Sequence, residues 1–308
     1  MSAGTPKVRH ANGTHAKARK ASEAIDAKAI LRLGVFTTLF LLAACSFAPS
    51  FGDIPVQPTE TFSTIPAQEV SQDSNWWQPA PGTSWQWQLS GEIDTTLDVQ
   101  VYDIDLFEAP QNVIDELHAD GRVVICYFSA GSWEDWREDA DDFPTELLGK
   151  ELEGWPDEKW LDIRQIELLA PIMEARLDLA VDKGCDGVEP DNMDGYANQS
   201  GFSLTYQDQL EYNLWLAEVA HARGLSIGLK NDLDQIQDLV LYFDWALNEE
   251  CFYYDECDLL LPFVHSGKSV FGVEYELDSD EFCPQVNAMN FDFLKKNWEL
   301  DAWREPCR

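Results

Sequence analysis

Carboxylate residues recur directly after short apolar runs of this sequence. The segment GCDGVEPDNMDGY places Asp191 after one such run, and the segment ALNEECFYYDEC places Glu249 after another. Two facing carboxyl groups can hydrolyse a glycosidic bond, because one protonates the leaving oxygen while the other attacks the sugar or activates water. The sequence therefore contains the residue types that glycoside hydrolysis needs.

Neighbouring acids compete for these two roles. Glu189 and Asp194 flank Asp191, and Glu250 follows Glu249 directly. Side chains alternate along a strand, so Glu250 should face away if Glu249 faces the site, unless the strand has already ended. Asp191 could instead have a structural role, in which its side chain caps the turn or helix that follows it.

Five further residues are candidates for substrate contact. Asp103 and Asp105 share one face of a strand, where one could bind a substrate ammonium group or make a structural hydrogen bond. Tyr127 either contacts the substrate or belongs to the core. Trp133 lies on a predicted loop, where its ring could stack on a sugar or pack in the core. Lys230 would favour the ionised form of a nearby carboxylate, or else forms an ordinary salt bridge.

Strand-like and helix-like segments alternate along the chain that carries these residues. Ile163–Val181 and Tyr206–Ala222 have apolar residues at helical spacing. Such alternation indicates an α/β fold with a parallel sheet, and eight strand candidates favour a single (β/α)8 TIM-type barrel. The candidates are Trp85–Leu89, Val99–Leu106, Val123–Phe128, Asp186–Glu189, Ser226–Leu229, Asp244–Leu247, Val270–Tyr275 and Val286–Met289. Their carboxyl ends meet on one face of a barrel, where such folds place their chemistry.

Several other functional classes lack their motifs here. There is no Gly-rich nucleotide-binding fingerprint, no phosphate loop and no Gly-x-Ser-x-Gly segment. The histidines are scattered and no Cys-x-x-Cys occurs, so we expect neither a metal nor another cofactor.

The N-terminal residues resemble an export signal. The apolar run of residues 33–44 follows a basic stretch and ends in Leu-Ala-Ala before Cys45, which resembles a bacterial lipobox. The alternative interpretation of residues 33–44 is a buried hydrophobic helix that happens to be followed by a cysteine. We expect a lipoprotein signal over residues 1–45 with lipidation at Cys45, a linker over 46–74, and one hydrolase domain over 75–308. The protein would face the periplasm or the cell exterior on a lipid anchor.

Export makes disulfides plausible among the remaining six cysteines. Cys251 and Cys257 flank one short aromatic loop and are the expected pair, within a maximum of three disulfides.

The net charge of −35 disfavours nucleic-acid binding. It fits either attraction of a cationic substrate or solubility in a salty medium, where a high charge is screened. The expected partner is a polysaccharide, which could be cationic, and we expect a monomer.

Five ordered segments resemble glycoside hydrolase family 114, the endo-α-1,4-polygalactosaminidases. They are VYDIDLF, VICYFSAGSWEDWR, GCDGVEPDNMDGY, LKND and ALNEECFYYDEC, and the resemblance spans Trp76 to Cys307. It implies a (β/α)8 barrel that cuts α-1,4-linked galactosamine polymers internally and retains configuration, with Asp191 as nucleophile and Glu249 as general acid/base. The alternatives are a catalytically silent sugar-binding surface lipoprotein and a hydrolase of another α-linked hexose or hexosamine polymer.

Overall fold

A computed structural model of the chain describes residues 75–308. The predicted signal of residues 1–45, with Cys45, and the predicted linker of residues 46–74 lie outside the described residues. Within the described part, no helix is both long and apolar enough to span a membrane.

Eight parallel strands form the barrel, and a short antiparallel strand extends its last edge. The barrel strands are β1 (Trp85–Gln88), β2 (Val101–Asp105), β3 (Val123–Ser129), β7 (Gly187–Asp191), β8 (Ser226–Lys230), β9 (Trp245–Glu249), β10 (Val270–Glu274) and β11 (Asp292–Lys296), and the added strand is β12 (Arg304–Pro306). The sheet runs in the order β1-β2-β3-β7-β8-β9-β10-β11-β12. The first and last barrel strands are bridged where Trp85 Nε1 donates to the Asp292 carbonyl oxygen at 2.8 Å. The predicted TIM-type barrel is confirmed.

A three-stranded antiparallel sheet is inserted after β3. It consists of β4 (Ser132–Glu134), β5 (Leu148–Leu152) and β6 (Trp155–Leu161), with β6 in the middle. This insertion follows the carboxyl end of a barrel strand and therefore lies at the face where the strand ends meet.

Helices follow most of the barrel strands. They are α1 (Gln111–Ala119), α2 (Ile166–Lys183), α3 (Tyr206–His221), α4 (Ile236–Leu239), α5 (Leu261–His265) and α6 (Ser279–Met289). One apolar core lies between these helices and the sheet, and a second, aromatic cluster fills the barrel interior. In this inner cluster Trp245 packs against the backbone of Gly228, where a Cβ would lie 2.3 Å from the indole.

The predicted strand at Val286–Met289 is wrong. These residues form the end of α6, which begins with a reciprocal capping box between Asp278 and Glu281. Phe282 and Val286, four residues apart, bury one face of this helix. The eighth barrel strand is β11, which follows the helix.

Three disulfides connect the described cysteines. Cys251 pairs with Cys257 as predicted. Cys126–Cys185 joins β3 to the segment that precedes β7, and Cys283–Cys307 joins α6 to the C-terminal segment.

Candidate active site

A cavity of about 760 Å³ opens among the carboxyl ends of the barrel strands. Asp191 ends β7, Lys230 ends β8 and Glu249 ends β9, and all three line this cavity. The side chains of Asp191 and Glu249 are 20% and 28% exposed, whereas that of Lys230 is 1% exposed. Both carboxylates are therefore accessible to a ligand, and the lysine lies beneath them.

Lys230 connects three carboxylates. Its Nζ lies 2.8 Å from Glu189 Oε1, 3.1 Å from Asp191 Oδ1 and 3.4 Å from Glu249 Oε2. Burial alone would lower the pKa of Lys230, but the neighbouring carboxylates raise it well above its ordinary value. The lysine is therefore positively charged where it contacts the three carboxylates.

Two buried acids form the floor beneath this lysine. Glu189 accepts a hydrogen bond from Trp87 Nε1 at 2.9 Å, and burial raises the pKa of Glu189 to about 7 while Lys230 opposes the rise. Burial, followed by the charge of Glu189, raises the pKa of Asp103 well above its ordinary range. Burial and the charge of Glu189 therefore both favour the protonated form of Asp103.

Hydrogen bonds fix the position of the Asp191 carboxylate. The Tyr127 hydroxyl donates to Oδ2 at 3.0 Å, and the Asn192 backbone N–H donates to Oδ1 at 2.8 Å. Burial raises the pKa of Tyr127 well above its ordinary value, which keeps the phenol protonated as a donor. The Asp191 carbonyl oxygen also accepts from the N–H groups of Ala130 and Gly131, at 2.9 and 3.0 Å.

Glu249 is held from both sides by polar neighbours. The Tyr275 hydroxyl donates to Oε1 at 2.5 Å, and Asn231 Nδ2 donates to Oε2 at 3.5 Å. Asn231 Oδ1 also accepts from the Glu249 backbone N–H at 3.0 Å. Burial raises the pKa of Tyr275 well above its ordinary value, so this phenol also remains a donor.

The rival acids occupy different positions. Glu189 is fully buried below the cavity. Asp194 lines a second, smaller cavity. Glu250 follows the end of β9 with a φ of 62°, and it lines the larger cavity together with Glu249. The strand has ended at this point, so the alternation of side chains no longer applies.

Some of the predicted substrate contacts line a cavity, and others do not. Asp105, Tyr127 and Lys230 line the larger cavity, whereas Asp103 lies beneath it. Trp133 belongs to the small antiparallel sheet, packs against the outer core and donates from Nε1 to the Ala140 carbonyl oxygen at 3.0 Å. It is not among the residues that line either cavity.

Asp105 is engaged in structural bonds. Its two carboxyl oxygens accept from Arg137 Nη1 and Nη2 at 3.0 and 2.7 Å. Oδ1 also accepts the backbone N–H groups of Phe107 and Glu108, at 2.8 Å each. Arg137 in turn binds Glu134, so this network anchors the inserted sheet to β2.

Sequence reasoning missed several cavity residues. Tyr275 directly follows β10 and could have been found by the same rule that identified Asp191, since it is polar and lies at a strand end. The exposed indoles of Trp136 and Trp155 line the cavity, and Trp298 stacks on Tyr275 with ring centroids 4.0 Å apart. The local sequence carries no signal that separates these tryptophans from Trp133.

This arrangement can hydrolyse a glycosidic bond. Two accessible carboxylates lie on either side of one ammonium group, and each is oriented by a tyrosine. Exposed aromatic rings at the same cavity supply flat apolar surfaces of the kind on which sugar rings stack.

Comparisons with known proteins agree with this chemistry. The model of glycoside-hydrolase family GH114 matches residues 66–308. A crystal structure of Aspergillus fumigatus Ega3 in complex with galactosamine is 45% identical, with a TM-score of 0.72 over 75% of this chain and 97% of that chain.

A more distant structure shows the same fold. The glycoside hydrolase domain of PelA from Pseudomonas aeruginosa is 12% identical, with a TM-score of 0.57 over 74% of this chain and 98% of that chain. No curated protein sequence matches the chain. The family match covers most of the chain and the whole barrel, and from it we conclude that the chain belongs to glycoside-hydrolase family GH114 and is a glycosidase.

Proposed function

We propose that this protein cleaves α-1,4-linked galactosamine-containing polysaccharide within the chain. The observation that carries the proposal is that Asp191 and Glu249 face one cavity and both contact Lys230. The galactosamine bound to Ega3, at 45% identity, supports the sugar.

Asp191 is the nucleophile in this proposal. Its carboxylate accepts two hydrogen bonds and contacts a buried cation, and these three interactions orient it at the cavity. It attacks the anomeric carbon and forms a covalent glycosyl-enzyme intermediate.

Glu249 is the general acid/base. It protonates the leaving oxygen in the first step and then removes a proton from the water that hydrolyses the intermediate. Lys230 Nζ contacts both Asp191 Oδ1 and Glu249 Oε2. The distance between these two oxygens therefore cannot exceed the combined length of the two contacts. Contacts of 3.1 and 3.4 Å place this upper limit at the lower edge of the range of roughly 6.5 to 9.5 Å found in inverting enzymes, which favours retention.

The cavity and the charge support an extended, cationic substrate. The exposed Trp136 and Trp155 extend the apolar surface of the cavity beyond the carboxylates, as binding of several consecutive sugars requires. The net charge of −35 favours the approach of a polymer with free amino groups.

We also propose that the protein is exported. The three disulfides support an oxidising compartment. The lipobox-like segment before Cys45 supports attachment through a lipid on that cysteine.

Product analysis on a defined α-1,4-galactosamine oligomer tests this function. Wild type should release shorter oligomers whose new reducing end is first the α anomer, as seen by NMR during the reaction. Asp191→Asn and Glu249→Gln should each lower kcat by about 100-fold or more, because each removes a group that acts in the transition state. Binding of the oligomer without shorter products would show a sugar-binding protein instead, and products from another α-linked polymer alone would change the substrate.

A further inference from the structure

One indole covers the ring of the tyrosine that contacts the candidate acid/base. Tyr275 follows β10 directly, and its hydroxyl donates to Glu249 Oε1 at 2.5 Å. The indole of Trp298 stacks on the Tyr275 ring, with centroids 4.0 Å apart and planes inclined by 19°. A hydrogen bond fixes only the tip of a phenol, whereas a stacked ring also restricts its rotation. Trp298 therefore limits where the Tyr275 hydroxyl can lie.

The edge of this indole is fixed as well. Trp298 Nε1 donates to Glu276 Oε1 at 3.1 Å, and Glu276 is the residue after Tyr275. The indole is half-buried and packs against the aromatic cluster of the barrel interior, to which Tyr275 belongs. Its face and its edge are thus both in contact with the segment that carries the phenol.

Buried polar groups hold the loop that carries Trp298. This loop connects β11 to β12. Lys296, the last residue of β11, is 1% exposed, and its Nζ donates to the Asp301 carbonyl oxygen at 2.7 Å. Gln86 of β1 donates from Nε2 to the Ala302 carbonyl oxygen at 2.9 Å. Bonds from two barrel strands therefore hold the loop in place beside Tyr275.

Trp298 also lines the larger cavity, so direct contact with the substrate is the competing role. The two roles affect different kinetic constants. An aromatic surface that binds sugar contributes to substrate affinity, and its loss raises KM. A residue that orients a proton donor contributes in the transition state, and its loss lowers kcat. One face of the indole is already covered by Tyr275, which favours the second role.

We propose that Trp298 is a positioning residue for Glu249 and acts by holding the Tyr275 hydroxyl on the Glu249 carboxyl group. This inference rests on the proposed function, in which Glu249 protonates the leaving oxygen. Proton transfer requires the acid to lie within hydrogen-bond reach of that oxygen, and a small displacement of a reacting group slows the reaction strongly. The size of the effect depends on the leaving group, because a sugar oxygen needs the proton whereas nitrophenolate leaves without it.

The test compares two substrates that differ in this demand for a proton. One is an α-1,4-galactosamine oligomer, whose leaving group is a sugar. The other is the nitrophenyl α-glycoside of a galactosamine oligomer, from which released nitrophenol is measured.

Four variants separate the stacked ring from the hydroxyl. Trp298→Ala removes the ring, Trp298→Phe keeps an aromatic ring there, and Tyr275→Phe removes the hydroxyl alone. Trp298→Leu, which keeps apolar volume without a ring, replaces the alanine variant if that variant does not fold. Trp303→Ala is the matched control, because Trp303 follows the same loop, is 43% exposed and lines neither cavity.

Trp298→Ala and Tyr275→Phe should each lower kcat for the oligomer by about tenfold with KM unchanged, since each weakens or removes a hydrogen bond to the Glu249 carboxyl group. Trp298→Phe should retain most of the wild-type kcat. The kcat/KM for nitrophenol release should be unchanged in all three variants, and Trp303→Ala should leave both substrates unaffected. In the Tyr275→Phe background, Trp298→Ala should lower kcat no further, because the hydroxyl through which the indole acts is already absent.

Three kinetic outcomes would overturn the inference and leave the proposed function standing. They are a raised KM with unchanged kcat in Trp298→Ala, equal loss on both substrates, and losses that multiply in the double variant. A crystal structure of Trp298→Ala in which the Tyr275 hydroxyl still contacts Glu249 Oε1 would overturn it as well. If wild type cleaves neither substrate, the proposed function fails, and the inference fails with it.

Discussion

Lys230 Nζ lies 2.8 Å from Glu189 Oε1, and both side chains are buried inside the barrel. Lys230 lines the cavity and Glu189 lies below it, with the Trp87 ring centroid 4.7 Å from the ammonium group. Removing a charge from water is costly, and a buried ion pair is stable only when hydrogen bonds and opposite charges satisfy both members. Here the ammonium group also contacts Asp191 and Glu249, so one buried charge supports the fold and the candidate catalytic pair.

Lys230→Met should damage both stability and activity. Loss of the cation leaves Glu189 buried without its partner, which should lower the free energy of unfolding by about 3 to 5 kcal/mol at pH 8. The pKa of Glu189, already about 7, should rise further, so the stability loss should be smaller at pH 5, where this acid is neutral. Activity should fall by about 100-fold, since a preorganised charge at the reacting groups is lost. Denaturant unfolding at both pH values and kcat measurements check these outcomes.

Two variants separate the roles of this lysine. Adding Glu189→Gln to Lys230→Met should restore part of the stability without restoring activity. Lys268 donates to the carbonyl oxygens of Val240 and Phe243 and lines neither cavity, so Lys268→Met should reduce stability alone. Full activity in Lys230→Met would contradict the assigned role.

Gly131→Ala should reduce activity through the backbone of the candidate nucleophile. A Cβ at this position would lie 1.7 Å from the Asn192 carbonyl oxygen, so the segment that carries Asp191 must move. A displacement of about 1 Å at a reacting group costs about 100-fold in rate. We expect a fall in kcat of that order, measured on the galactosamine oligomer.

Gly267→Ala is the matched control for this substitution. Gly267 has a φ of 75° and no neighbouring atom within 4 Å of an added Cβ, so the change introduces backbone strain without a clash. It should cost about 1 kcal/mol of stability and leave kcat unchanged. Equal effects of the two alanines on kcat would show that the contact with Asn192 is unimportant.

Glu274→Gln should reduce the decrease in the free energy of unfolding that accompanies rising pH. Burial, with a contribution from Glu250, raises the pKa of Glu274 from 4.5 to about 7. The folded state therefore holds this proton more tightly than the unfolded state, and the stability it provides below pH 4.5 is lost as pH rises to 7. Glutamine does not titrate in this range, so the variant lacks this contribution to the pH dependence. The variant should gain on the order of 2 kcal/mol relative to wild type between pH 5 and pH 8.

Denaturant unfolding of both proteins at several pH values measures this difference. Lys296, whose pKa burial lowers to about 7, changes stability in the opposite direction above that pH, but it is common to both proteins and cancels. Glu218→Gln, an exposed position on α3, serves as the control and should leave the slope unchanged. A parallel pH dependence of wild type and Glu274→Gln would refute the assignment.

The Cys126–Cys185 and Cys251–Cys257 disulfides should contribute differently to stability and to substrate binding. The Cys126–Cys185 bond closes a separation of 59 residues, and the Cys251–Cys257 bond closes a separation of 6. Chain entropy predicts stabilisation of about 4 and about 2 kcal/mol, respectively. Replacing the first pair by alanine should therefore lower stability more.

Activity should show the reverse order. The short disulfide loop carries Tyr254, which lines both cavities, so replacing Cys251 and Cys257 by alanine should raise KM for the oligomer more than replacing the other pair. Unfolding under non-reducing conditions and steady-state kinetics give both rankings. A larger KM effect from the Cys126–Cys185 pair would exclude this role for the short loop.

The sequence by itself determined the features that depend on local patterns. Alternation of apolar runs and helical periodicity predicted the barrel. Polar residues at strand ends indicated several candidate acids, and the resemblance to the family selected Asp191 and Glu249 among them. The Cys251–Cys257 pair was predicted because both cysteines flank one short aromatic loop, and the structure confirms it. The strand expected at Val286–Met289 failed because apolar residues four apart in a short segment fit a helix as well as a strand, and the capping box decided between them.

The tertiary structure alone decided how distant groups meet. Asp103, Glu189 and Lys230 form one buried cluster because three separate strands direct alternate side chains into the barrel, and the sequence does not give the depth of each. Trp133 and Trp136 lie three residues apart, yet one packs on the core and the other lines the cavity. Their positions follow from the fold of the inserted sheet, whose long-range contacts no local pattern encodes.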